Sequence, residues 1–138
     1  MALSDEISLA VNWNAPGVDI EDSLRVVIKK MIDAKASALV AKVDDDVVGV
    51  ITDMDVLLSV DAGKDLDETK ASSVMTACEL IDDKGVKSPC VQLDSTETVD
   101  NALGVMAVAG VHNLLVSGGK GEKSGMVSIR DLLRLVIS

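Results

Sequence analysis

What most constrains this chain is that it says the same thing twice. Gly49-Val50-Ile51-Thr52-Asp53-Met54-Asp55-Val56-Leu57-Leu58 reads against Gly125-Met126-Val127-Ser128-Ile129-Arg130-Asp131-Leu132-Leu133-Arg134 at a constant offset of 76. Upstream, Ala34 to Val40 aligns with Gly110 to Val116 at the same offset. Ser23-Leu24 and Met31 match Thr98-Val99 and Met106 at 75, so one residue is gained between the two blocks. Self-similarity of this kind marks a duplicated supersecondary unit. A unit this small cannot easily bury one face of its sheet alone, so the two copies are expected to pack as a pseudo-two-fold pair.

Each copy carries the same order of elements. Ser23 to Ala34 has Val27, Ile28, Met31 and Ile32 at helical spacing, with Asp22 or Ser23 placed to cap it. Its partner is Thr98 to Ala109. Two β-rich runs follow, Ala38 to Val43 and Val47 to Ile51, joined by Asp44-Asp45-Asp46. In the second copy these are His112 to Val116 and Gly125 to Val127, separated by a loop from Ser117 to Lys123. Short helices, Asp53 to Val60 and Ile129 to Ile137, close the copies. The pattern predicts an α/β (α+β) fold of two β-α-β-β-α repeats: an N-terminal segment over 1–17, a first repeat over 18–60, a linker over 61–73 and a second repeat over 74–138. An amphipathic stretch from Asp5 to Val11 is expected before a turn at Asn14-Ala15-Pro16-Gly17. Lys84 to Pro89 reads as a loop leading to a strand at Cys90 to Leu93, and the stretch from Cys78 is longer than a minimal repeat needs.

Composition narrows the function. Thirteen Lys and Arg against 23 Asp and Glu give a net charge of −10, and Trp13 is the sole aromatic residue. Such a chain lacks both the phosphate-neutralising cations and the stacking rings of a nucleic-acid binder, and the same charge disfavours an anionic membrane surface. The run Ala102 to Val111 is too short to span a bilayer. No secretory leader is visible and Cys78 and Cys90 have no second pair to make a metal site, so free thiols in a reduced cytoplasm are expected.

The chemistry concentrates in Thr52-x-x-Asp55 and Ser128-x-x-Asp131. A hydroxyl three residues before a carboxylate at the start of an apolar helix is a capping box, each side chain satisfying a backbone donor. The same groups can serve a ligand, and the two uses are compatible: a turn capped when empty and occupied when a ligand arrives. A triad can be written from Ser128, His112 and Asp131, but no nucleophile elbow accompanies it, so no catalytic residue is assigned. Metal binding by the lone His112 lacks paired ligand spacing, and the glycine-rich loop after Ser117 does not match a P-loop.

The paired motifs Gly49-Val50-Ile51-Thr52-x-x-Asp55 and Gly125-Met126-Val127-Ser128-x-x-Asp131, with Met31, Met106 and the lead-in Val74-Met75-Thr76, resemble the CBS-domain family, whose tandem pairs are called Bateman modules. The resemblance covers roughly residues 18 to 138. It implies a non-catalytic regulatory module that senses an adenine nucleotide: AMP, ADP, ATP or S-adenosylmethionine, none of them a required cofactor. The carboxylate would take two ribose hydroxyls, the Thr or Ser hydroxyl would face phosphate at the helix start, and aliphatic walls would hold adenine. The implied ligand-binding residues are Thr52, Asp55, His112, Ser128, Arg130 and Asp131. Ser128, Arg130, Asp131 and His112 would form the better phosphate site, with Lys120 and Lys123 nearby; Met54, Asp53, Ala36 and Ser37 make the first site less cationic. The family also implies a homodimer and an effector protein as partners. The alternatives are a ligand-free structural dimerisation module and an enzyme acting on nucleotides, for which no base is evident.

Overall fold

In the computed structural model, which describes residues 3–77, 80–81, 87–88, 92–118 and 125–138, the chain divides into two units. One is Pro16–Cys90; the other joins Met1–Ala15 to Val91–Ser138. In the first, β1 (Gly17–Asp19) leads to α1 (Leu24–Ala34), whose N-cap Ser23 accepts from the Val26 N–H. Leu24, Val27 and Met31 face inward. Lys35 ends the helix in the left-handed region, φ 50°, its N–H returning to Ile32 and Met31 carbonyls. The hairpin β2 (Ala38–Val43) and β3 (Asp46–Thr52) follows, then α2 (Asp53–Asp61), the single turn α3 (Ala71–Val74) and β4 (Thr76–Ala77). The sheet order is β1-β2-β3-β4, with only β1–β2 parallel. Leu24, Val27, Leu39 and Ile51 are fully buried at its centre. A separate antiparallel pair, β5 (Leu80–Ile81) with β6 (Lys87–Ser88), lies within the long stretch after Cys78; Cys78, Cys90 and most of the loop expected at Lys84 to Pro89 fall outside the described residues.

The second unit repeats the plan. β7 (Gln92–Asp94), α4 (Val99–Ala109), β8 (Asn113–Ser117), β9 (Gly125–Ser128) and α5 (Ile129–Ile137) form a sheet ordered β7-β8-β9, again parallel then antiparallel. Thr98 caps α4, and Gly110 at φ 68° stands where Lys35 stood. Val99, Ala102, Met106, Val116, Val127 and Leu132 make its core. The two β-α-β-β-α repeats read from the sequence are therefore present.

The structure corrects one alignment. Ala38 pairs with Thr52 as Asn113 pairs with Ser128, and the left-handed helix ends are Lys35 and Gly110. Helix, cap and first hairpin strand thus all correspond at 75, and the change to 76 falls inside the hairpin, not between helix and strand. The physical reason is that the hairpins differ. The first carries a bulge at Ala41/Lys42 and turns tightly through Asp44, φ 54°, while the second runs over a longer loop after Ser117, whose residues 119–124 are outside the described set.

It also exposes a repeat that apolar patterning hides. The stretch expected as amphipathic over Asp5 to Val11 is a single 3-10 turn, Ile7–Leu9, with Ile7 fully buried in the second unit. Its backbone bonds match those of the α3–β4 segment in the first unit. The Val99 N–H donates to the Asp5 carbonyl as Leu24 does to Thr69; Ile7 donates to Glu97 as Ala71 does to Asp22; Ser8 donates to Ser95 as Ser72 does to Ile20. Asn12 bridges Met126 as Thr76 pairs with Val50. Each of these pairs, Asp5 and Thr69, Ile7 and Ala71, Ser8 and Ser72, Asn12 and Thr76, lies 64 residues apart. Each lead-in segment therefore covers the outer edge of a motif strand, and the segment nearest the N-terminus belongs to the second unit.

That edge explains the glycine that opens each motif. A Cβ on Gly125 would run into the Val11 side chain, with Trp13 Cε3 at 2.8 Å and the Asn12 carbonyl at 3.1 Å; on Gly49 it would meet Met75 Sδ at 2.6 Å. Both glycines also face a backbone carbonyl, that of Thr76 lying 3.0 Å from a Cβ on Gly49. There, however, the nearest atom is the end of a flexible methionine, which can swing aside, whereas at Gly125 the Val11 and Trp13 side chains must both give. Gly125→Ala is accordingly expected to lower unfolding stability by about 1–3 kcal/mol and Gly49→Ala by less, read from urea denaturation; Leu132→Ala, at a fully buried position, should cost about 2–5 kcal/mol.

Candidate functional site

Both motif turns close as capping boxes. At the first, Thr52 Oγ1 accepts from the Asp55 N–H at 3.2 Å and Asp55 Oδ2 accepts from the Thr52 N–H at 2.9 Å. At the second, Ser128 Oγ accepts from the Asp131 N–H at 3.1 Å and Asp131 Oδ2 accepts from the Ser128 N–H at 3.1 Å. The strand before each helix positions the pair, and the loop before the neighbouring strand anchors it. The Asp53 N–H donates to the Ser37 carbonyl at 2.9 Å, and the Ile129 N–H to the His112 carbonyl at 2.8 Å. Of the four N–H groups that a helix start leaves without partners, three are thus claimed. Among the described residues, those of Met54 and Arg130 remain for a ligand.

The two turns keep different capacities in reserve. In the first, the Thr52 hydroxyl hydrogen and Asp55 Oδ1 have no partner among the described residues. In the second, the Ser128 hydroxyl also donates to Asp131 Oδ2 at 2.8 Å, and Arg134 Nη1 lies 3.3 Å from Asp131 Oδ1. That ion pair is largely solvent-exposed, with side-chain exposures of 72% and 30%, and a pair of this kind is weak. All four carboxylate and hydroxyl side chains are half-buried at the mouth of their turns.

Of the residues singled out from the sequence, Ser128, Asp131 and His112 come together, joined by the Ile129–His112 backbone bond. Arg130 is on the first turn of α5 and exposed, with no salt bridge among the described residues, and the His112 side chain is exposed as well. Thr52 and Asp55 meet in the other unit. Lys120 and Lys123 fall outside the described residues. Sequence reasoning overlooked Arg134, although its position three residues after Asp131 on a helix was the signal. It also overlooked Lys35, which with Ile28, Met31, Ile32, Ala36, Ser37, Asp53 and Val56 lines an open depression of about 410 Å³ beside the first turn. The cation sought at Ala36 and Ser37 stands one residue earlier, on the left-handed helix cap. Among the described residues no cluster of His, Cys, Asp or Glu is arranged to hold a metal ion, and no helix is long and apolar enough to cross a membrane.

The CBS domain family model matches residues 8–62 and 81–138. No curated protein matches the chain. Among solved structures, a conserved protein from Pyrococcus horikoshii is 20% identical, with a TM-score of 0.81 over 100% of this chain and 96% of that one. The CBS domain of a bacterial CNNM/CorC family Mg2+ transporter, solved in complex with ATP, is 14% identical, with a TM-score of 0.76 over 98% of this chain and 89% of that one. The hexameric CBS-CP12 protein from bloom-forming cyanobacteria is 20% identical, with a TM-score of 0.73 over 93% and 66%. At these identities the likeness is one of fold.

The capping geometry makes a prediction that needs no ligand. Asp55→Ala and Asp131→Ala should each lower stability by about 1 kcal/mol by stripping a partner from a half-buried backbone N–H. Asp55→Asn and Asp131→Asn, which keep an accepting oxygen, should cost clearly less in the same urea titration.

Proposed function

Because the chain belongs to the CBS-domain family, we propose that it is a regulatory adenine-nucleotide sensor that catalyses no reaction. The observation that carries this reading is that each half presents the same hydroxyl–carboxylate pair at a strand-to-helix turn, with ligand-binding capacity left after the cap is made. At the first turn, Asp55 Oδ1 and the Thr52 hydroxyl hydrogen suit a ribose or nucleoside without displacing any protein contact. At the second, a ribose hydroxyl replaces the weak Arg134 contact on Asp131, which frees Arg134 to join Arg130 and His112 around phosphate while Ser128 lines the turn. Net cationic character favours the second turn for a polyphosphate, and Asp53 beside Asp55 disfavours the first. AMP, ADP, ATP and S-adenosylmethionine all present the required ribose. A ligand that binds one packing of the chain better shifts its population toward that packing, and an effector protein reads the shift.

We also propose a homodimer formed through the helices. Helix α2 has no buried residue and exposes Met54, Leu57, Leu58 and Val60; α5 exposes Leu133, Val136 and Ile137. A second copy is the simplest cover for such apolar helix faces. These faces equally suit the alternative, a structural dimerisation module that binds no ligand.

Thermal unfolding with each nucleotide separates the two readings. At a ligand concentration 100-fold above the dissociation constant, binding should add about 2.7 kcal/mol of stability, and Asp131→Asn should remove the response to ATP while leaving the apo protein nearly as stable. No response to any of the four ligands from an intact dimer would establish the structural module instead. Leu58→Asp should convert the dimer to a monomer in light scattering.

A further inference from the structure

The second unit is assembled from two pieces of chain that are far apart in sequence, and the smaller piece has the character of a bound peptide. Leu3 to Trp13 contributes one fully buried side chain, Ile7, with Ala10, Val11 and Trp13 half-buried around the core of α4, β8, β9 and α5. Its backbone is held at both ends: the Asp100 N–H on the Leu3 carbonyl at 2.9 Å, and the reciprocal pair between Asn12 and Met126 at 2.9 and 3.0 Å. Beyond the 3-10 turn Ile7–Leu9 it has no helix, and among the described residues its backbone pairs with the sheet at the Asn12–Met126 bridge. The covalent link to the rest of its chain runs through Asn14-Ala15-Pro16 into the other unit.

The acceptor is selective. The equivalent segment of the first unit buries Ala71 and Val74 where this one places Ile7 and Ala10. Large and small side chains are exchanged between the two positions, so each segment fills its own unit and would leave a void or a clash in the other. Another copy of the chain carries the matching segment.

We propose that the groove formed by the outer edge of β9 and the Ile7 pocket is a peptide acceptor, and that it takes the Leu3–Trp13 segment of a second copy in exchange for its own. This is strand exchange at an edge that requires a partner. The groove uses none of the exposed apolar residues of α2, Met54, Leu57, Leu58 and Val60, which belong to the other unit.

The test uses a synthetic peptide spanning Leu3 to Ala15 as the second copy's segment. A fluorescently labelled peptide is titrated into the full chain carrying Leu58→Asp, which removes association through α2, and anisotropy is followed. The same unlabelled peptide is added to a chain shortened to begin at Asn14. That chain has lost the only tryptophan, so emission from the peptide's own Trp13 reports docking. Saturable binding to both proteins is expected, at least ~10-fold weaker to the full chain because its own segment competes at a high effective concentration. A peptide with Ile7→Asp should bind neither. Absence of Ile7-dependent uptake by the full chain and by the shortened chain, whether or not the latter keeps its fold, overturns the proposal.

Discussion

Both halves of this protein depend on a strand edge that is unfinished until a segment from elsewhere in the chain covers it. The motif strands β3 and β9 each pair with a hairpin partner on one side, and on the other side would present unsatisfied N–H and C=O groups beside buried apolar side chains. Thr76–Ala77 completes β3, and Asn12 completes β9. The approach is close enough that the motif opens with glycine in both copies, and the strand so held delivers its hydroxyl and carboxylate to the start of the next helix. The geometry of each candidate ligand turn therefore rests on a contact two residues upstream that takes no part in the turn itself.

The turns show how one pair of side chains can cap a helix and still keep groups that a ligand could use. A capping box uses one carboxylate oxygen and one hydroxyl lone pair, which leaves a second oxygen and a hydroxyl hydrogen. The first turn keeps both. The second spends them on a Ser128–Asp131 bond and an Arg134 contact, so a ligand there would have to trade weak exposed interactions for its own. Half-burial suits both uses, since deeper groups would be inaccessible and fully exposed ones would be screened by water.

Much of this was legible in the sequence because it rests on local signals. The helices from Leu24 and Val99 announce themselves by period and by the Ser23 and Thr98 caps, and α5 has the bounds that its apolar spacing predicts. The motif turns follow from the doubled hydroxyl–carboxylate spacing. What stayed hidden is non-local. Ile7 and Ala71, or Asn12 and Thr76, share no residue type, because their kinship is a backbone hydrogen-bond pattern and not a side-chain chemistry. The register of Ala38 and Asn113 was also misread, since a bulge and a longer loop redistribute one residue without altering the apolar run. Lys35 escaped notice because its left-handed conformation, usually the province of glycine, carries no mark in the sequence.

The division of the second unit between the two ends of the chain has a consequence for synthesis. As the polypeptide leaves the ribosome, Leu3 to Trp13 emerges well before the strands and helices it packs against, and its binding groove is not complete until α5 has been made. Pro16–Cys90, which carries its own edge cover in α3 and β4, can fold in the meantime. During that interval the isoleucine and the tryptophan of that segment remain in water, a short apolar tag that is withdrawn only once α5 is available to close over it.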